Sequence, residues 1–340
     1  MVRLKIIMRT VPVVCALLVL IIDTKSIILG AQSGIDLCTK TLIPSLFPFF
    51  VISGYLCQAL STFRFPFLKH ILKLCAMPSG TEPLLVIGML GGYPVGAKAV
   101  TEAYWNGQLD KGTARRLLGF CSNAGPAFVF GVIGNMFESS WVSWIVMLIL
   151  IISSIITGAI LPRSPVKENS CIKSNDSSFI KIFEGSIRSI AYVCGWVILF
   201  RVFMTFLNRW FMWILPDTIR IMLTGIFELS NGCLELRKIG NEGLRMIISS
   251  GLLSFGGLCI FLQTASVTGD LGLGDYFPGK ILQSMISIVL STFAQYILFD
   301  VQNRMSLIFV VIPTLLTIFS ITIIKKCFKN NSSIFKSIVV

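Results

Sequence analysis

Two charged residues, one in each half of the chain, stand inside apolar stretches broken by glycine and proline: Lys98 in GMLGGYPVGAK (residues 88–98) and Glu228 in GIFELSNGC (residues 225–233). Gly91, Gly92, Pro94 and Gly96 crowd the first stretch. Non-helical backbone in a membrane must be buried in protein or line a wet cavity, because lipid offers no hydrogen-bond partners; small residues can also simply let helices pack closely. With Tyr93 just before it, Pro94 is expected to open a short helix running to Trp105. Its first-turn N–H groups are unpaired and attract anions. Lys98 falls in that turn and would add a full positive charge, unless it snorkels to the interface or pairs with Glu102 at i,i+4.

Two further stretches, together with the one around Glu228, carry polar groups beside helix breakers. In CSNAGPAFVFG (residues 121–131), Gly125 and Pro126 follow Ser122 and Asn123, whose side chains either hold a small polar solute or re-satisfy freed backbone. Around Glu228 stand Ser230, Asn231 and Gly232; this acid is a candidate for ion or proton coupling, or the partner of a base such as Arg201. In SFGGLCIFLQ (residues 254–263), Ser254, Gly256, Gly257 and Gln263 combine close backbone approach with neutral polarity. Phe47, Phe49, Phe128 and Phe130 offer ring faces for stacking, or packing alone.

The chemistry open to such a set is recognition, and the chain is expected not to be an enzyme. No nucleophile elbow or pair of acids in neighbouring apolar runs is present. The single histidine, His70, excludes a His-rich metal site, and ten cysteines without a C-x-x-C pair argue against zinc, redox or disulfide frameworks. No cofactor and no metal are expected.

The elements that must position these residues follow from composition. Of 340 residues, 54% are hydrophobic and 13% charged, against about 25% charged in soluble domains, and mean hydropathy is +0.83. The chain therefore reads as an all-α polytopic membrane protein. Apolar runs of the roughly 20 residues needed to cross a bilayer lie at 11–29, 42–60, 117–136, 141–161, 187–207, 246–267, 281–299 and 305–324. Segments 84–105 and 219–236 are apolar but interrupted. This predicts about eight transmembrane helices plus two re-entrant or broken segments. The first helix is expected to be retained, since no clean cleavage site follows it. A net charge of +13 forms no continuous basic stripe, so nucleic acid is not an expected partner. The basic clusters instead mark cytoplasmic loops and put both termini inside. Among them are Lys111/Arg115/Arg116 and Arg163/Lys167/Lys173/Lys181.

A polar tract at 162–178 separates two halves with the same order: a span, an interrupted segment, a basic turn and a span broken near glycine. The organisation is a first helix and loop (1–41), a first repeat (42–161), a polar linker (162–186), a second repeat (187–300) and a last helix with a basic tail (301–340). If both interrupted segments are re-entrant, the halves become inverted repeats, the pattern that points to a secondary transporter with a mid-membrane site. Arg209, Arg220, Arg237, Lys238 and Arg245 would then lie outside, against the positive-inside tendency.

PSLFPFFVISGYL, GGYPVGAKAV, RLLGFCSNAGPAFVFGVIG, GIFELSNGC and LLSFGGLCIFLQ, in that order, resemble the sporulation integral membrane proteins of the YlbJ/SpoVV type. That group falls within the nucleoside-recognition (Gate) domain proteins and is distantly like the concentrative nucleoside transporters. Ser122 and Ala124 depart from the pattern, in which Asn and Ser are commoner. The resemblance implies a role in endospore formation, in the cell membrane or the membrane around the forespore, and transport of dipicolinic acid, a planar pyridine dicarboxylate. Expected partners are a small anionic solute and the lipid bilayer, with other sporulation membrane proteins or a second copy of the chain as further candidates. The competing classes are a transporter of nucleosides or another small solute, and a non-transporting membrane scaffold.

Overall fold

Both interrupted segments reverse the chain. In a computed structural model, which describes residues 21–60, 67–162 and 178–299, helix α1 spans Thr24–Leu37, α2 Ile43–Leu60, α3 Leu68–Leu74, α4 Glu82–Leu90 and α5 Val95–Trp105. The α4 to α5 connection is the first interrupted segment. Eight residues of continuous helix would separate Gly88 and Gly96 by about 12 Å. Instead a Cβ on Gly96 would stand 2.8 Å from the Gly88 Cα, so the arms fold back on each other. The second interrupted segment repeats this device. Helices α10 (Asp217–Phe227) and α11 (Leu229–Glu235) touch through Gly225 and Gly232, whose backbones leave no room for a side chain.

Each hairpin is followed by a helix broken half-way. Helix α6 (Lys111–Cys121) stops before Ser122, and α7 restarts at Pro126–Phe128, continuing through a π turn (Val129–Ile133) and a 3-10 turn (Gly134–Met136). The cause is local: Pro126 disfavours helical backbone at the residue before it, and Gly125 is extended at φ −80°, ψ 162°. Pro126 then occupies the first helical position, where its missing N–H costs nothing. In the second half, α12 (Glu242–Phe255) gives way to α13 (Gly257–Thr268) at Gly256 and Gly257, both left-handed with φ of 86° and 84°. Only glycine takes two such residues in succession without strain. Continuous helices follow each broken one: α8 (Trp141–Ile160) in the first half and α14 (Tyr276–Phe299) in the second, while α9 (Phe179–Trp210) leads into the second half.

The two hairpins open at opposite ends of the bundle. Trp105, at the open end of the first, donates to Asp270 at the end of α13 (2.7 Å), and Lys111 at the start of α6 donates to the Asp270 carbonyl (3.1 Å). At the open end of the second, Arg237 donates to the Asn135 carbonyl beyond α7 (2.9 Å), and the Glu242 side chain at the start of α12 accepts from the Glu138 N–H (3.0 Å). Among the basic residues expected outside, Arg209 is paired with Asp23 (3.1 Å) and Lys238 with Glu235 (3.4 Å). Arg220 pairs with Asp217, and Arg245 donates to the Met136 carbonyl.

Among the described residues all the regular structure is helical. Five helices of the described residues are long and apolar enough to cross a bilayer: Lys111–Met136, Trp141–Ile160, Phe179–Trp210, Glu242–Leu271 and Tyr276–Leu298. The pair Thr24–Leu42 and Leu46–Ile52, bent by 56°, makes a sixth when its two arms are counted as one span. The bend falls at Pro44, whose ring cannot continue the helix above it. Eight were expected; residues 11–20 and the span at 305–324 lie outside the described residues, as does 163–177 of the polar tract. Two expectations are corrected. Residues 30–41 are helical rather than a loop, because Gly30 and Gly34 let α1 lie directly on α9: a Cβ at either would stand 2.9 Å from the Cα of Val202 or Ile198. Arg116, read as part of an exposed basic loop, is fully buried and donates to the carbonyls of Ala76 (3.0 Å), Gly158 (3.0 Å) and Leu161 (3.2 Å), which includes the otherwise open C-terminus of α8.

Candidate functional site

The hairpin tips and both helix breaks converge. Where they meet lies a cleft lined by Gly91, Gly92 and Tyr93 from the first tip, Glu228, Leu229 and Ser230 from the second, Ala124, Gly125, Ala127 and Phe128 from the first break, and Ile260 and Gln263 from α13. Val193 and Val197 of α9 and Leu42, Leu46 and Leu90 complete the wall. About 50 Å³ is open to the centres of water molecules, room for several ordered waters. The breaks fall midway along the spans Lys111–Met136 and Glu242–Leu271, so the cleft lies at mid-span.

Glycine contacts set this geometry. A Cβ on Gly92 would stand 3.1 Å from the Gly125 nitrogen, and one on Gly257 3.0 Å from the Gly225 carbonyl oxygen, so each hairpin rests on the break that follows it. Between the halves, Tyr93 reaches across: its hydroxyl donates to the Leu253 carbonyl (3.2 Å) and weakly to that of Ser254 (3.5 Å). These are carbonyls freed at the C-terminus of α12. Its ring covers Gly256, where a Cβ would stand 3.3 Å from the ring.

The two hairpin tips present different electrostatics. Pro94 precedes α5 and gives its N-terminus no side-chain cap. In the second hairpin the Glu228 carboxylate accepts the N–H groups of Ser230 (2.9 Å) and Asn231 (2.6 Å), so α11 carries its own anion at its N-terminus. Glu228 is 2% exposed, and among the described residues it forms no ion pair with Arg201 or any other base.

Lys98 is turned away from the cleft. Its Nζ faces α9, 3.4 Å from the Gly185 carbonyl and the Ser189 hydroxyl and 4.0 Å from Glu102. Ser122 and Ser254, each just before a break, are fully buried, and neither hydroxyl has a hydrogen-bond partner among the described residues. Gly96 and Gly232 serve the hairpin contacts. Among the phenylalanines, Phe128 lines the cleft, whereas Phe47 packs edge-on against Phe183 and Phe130 against Trp144; the Phe49 side chain lies outside the described residues.

Asn123 occupies a network that the sequence did not reveal. Its Nδ2 donates to the Phe120 carbonyl (2.9 Å), exposed by the end of α6, and to Ser154 Oγ (3.2 Å). Its Oδ1 accepts from Lys280 Nζ (3.1 Å) and Gln283 Nε2 (2.7 Å), and Lys280 also donates to Gln283 Oε1 (2.7 Å). Lys280 is 1% exposed, and its Nζ lies 5.2 Å from the centre of the Tyr93 ring and 5.9 Å from that of Tyr276. The sequence signal was a lysine followed three residues later by a glutamine at the head of an apolar run. With the apolar run starting at 281, Lys280 reads as an ordinary flanking charge.

No group of His, Cys, Asp or Glu among the described residues is arranged to hold a metal ion. No family model matches the chain, and no solved structure matches it. It is similar to the sporulation integral membrane protein YlbJ of Bacillus subtilis (strain 168), with 22% identity over 311 residues, covering 76% of this chain and 75% of that protein.

Proposed function

We propose that this integral membrane protein is a transporter acting in endospore formation, moving a small anionic solute, foremost dipicolinate, across the cell membrane or the membrane around the forespore. The observation that carries the reading is the meeting of two chain reversals, open at opposite ends of the bundle, with two helices broken at mid-span around one cleft. On this reading the halves are inverted repeats, both termini face the cytoplasm, and one half rocks against the other. Similarity to a sporulation membrane protein supports the cellular context. Tyr93 and Phe128 provide aromatic faces for a flat ring, and the open N-terminus of α5 favours a carboxylate. The open volume of about 50 Å³ suits a few waters rather than a pyridine dicarboxylate, so loading requires the hairpin tips to part.

The test is uptake by proteoliposomes of purified full-length protein, with labelled dipicolinate and uridine offered separately. Dipicolinate uptake above protein-free vesicles is expected, with uridine at background, and Lys98→Met should retain it because that side chain faces α9. Uptake of uridine alone would turn the assignment to a nucleoside transporter. Uptake of neither by folded protein would leave the scaffold reading in its place.

A further inference from the structure

We infer that Lys280 is the charge that recognises the anionic solute, held in the present state behind Tyr93 and exposed to the cleft when that side chain withdraws. The inference rests on the transport reading and names the group that reads the solute's charge.

A lysine buried at membrane depth is costly unless paired. Yet no carboxylate among the described residues forms an ion pair with Lys280. Its hydrogen-bond partners and the rings beneath it are electron-rich but neutral: Asn123 Oδ1 at 3.1 Å, Gln283 Oε1 at 2.7 Å, and the rings of Tyr93 and Tyr276 at 5.2 and 5.9 Å. Those groups suit an ammonium, which has donors only, and ring faces attract a cation. They do not cancel its charge. Among the described residues no carboxylate is offered to Nζ as a counter-ion, and a solute's carboxylate would supply one.

The position fits a solute's carboxylate as that counter-ion. Tyr93 both lines the cleft and carries Nζ over its ring at 5.2 Å, and Ala124, next to Asn123 in the chain, is also part of the wall. Asn123 and Gln283 are positioning residues: they hold Nζ over the Tyr93 ring. Glu228, the acid of the cleft, is occupied in capping α11 and does not reach Lys280. Moving the first hairpin tip aside would withdraw the Tyr93 ring from Nζ and open it to the cleft. Anion entry and hairpin movement are thereby linked.

The experiment compares binding of dipicolinate and of its neutral analogue pyridine-2,6-dicarboxamide to purified full-length protein in detergent. The wild type should prefer the dianion. Lys280→Met should weaken dianion binding about 30-fold or more and bring the two affinities close together, while Lys280→Arg should restore part of the preference. Arg201→Met, which removes a cation one turn from Val197 on α9, should keep it. A Lys280→Met protein that elutes and melts like wild type and still prefers the dianion would overturn the inference. Gln283→Glu supplies a second test that does not depend on removing the lysine: a carboxylate next to Nζ provides the counter-charge internally, so the protein should fold and lose dianion binding. Unchanged binding there would equally overturn it, whereas a wild type that binds no dianion would refute the transport reading itself.

Discussion

Replacing Gly232 by alanine should destabilise the protein, whereas the same change at Gly195 should not. A Cβ at Gly232 would overlap the Gly225 Cα and nitrogen, and the next atom it meets is the Thr224 carbonyl carbon at 3.3 Å. All three are backbone, so no rotamer change relieves the contact. Either the α10 and α11 arms separate or the hairpin shifts on the second break. Adding one methyl group to a tightly packed site costs about 1–3 kcal/mol, and this site belongs near the top of that range. At Gly195, on the outer face of α9, nothing lies within 4 Å of an added Cβ, and replacing glycine by alanine in an exposed helix gains about 1 kcal/mol. The two variants should therefore differ by about 3–4 kcal/mol, or several degrees in melting temperature. Thermal unfolding of the purified proteins in one detergent, followed by tryptophan fluorescence, measures the difference. Melting within about a degree of each other would refute the claim that the arms meet backbone to backbone, and with it the chain reversal.

Two other outcomes follow from the same geometry. Glu228→Ala strips the acceptors from the Ser230 and Asn231 N–H groups and should cost about 1–2 kcal/mol, whereas Glu228→Gln keeps one acceptor oxygen and should cost less; equal melting of the two variants would argue against the cap. Asp275, just outside the span Tyr276–Leu298, has its carboxyl raised to about 6 by burial, against the opposing pull of Arg116 and Arg115. A folded pKa above the unfolded value of about 3.9 means the folded state holds the proton more tightly, so its stabilisation is complete below about pH 4 and lost as pH rises through about 6. Melting temperatures between pH 4 and 7 should show that decline in the wild type and lose it in Asp275→Asn; an identical decline in the variant would assign it to another group.

Composition and hydropathy were enough to make this chain a helical membrane protein, because each span must bring its own apolar surface to lipid. Glycine and proline marked both interrupted segments and both breaks, since their backbone effects are local and independent of what surrounds them. Whether a segment crosses or turns back was not local. That depended on Gly88 meeting Gly96, and Gly225 meeting Gly232, contacts made only when the arms fold together. Side-chain direction was likewise a tertiary matter. Lys98 stands in the turn where an anion site was expected, yet its face of α5 looks toward α9. Lys280 reads as a flanking charge at the head of a span, yet the packing of α14 on α6 buries it against Asn123, a residue 157 positions away. The sequence by itself settled where the backbone breaks and how apolar each element is, because those properties belong to individual residues and their neighbours. Which charge faces the centre was decided by the packing of distant helices, because burial and orientation exist only once those helices have met.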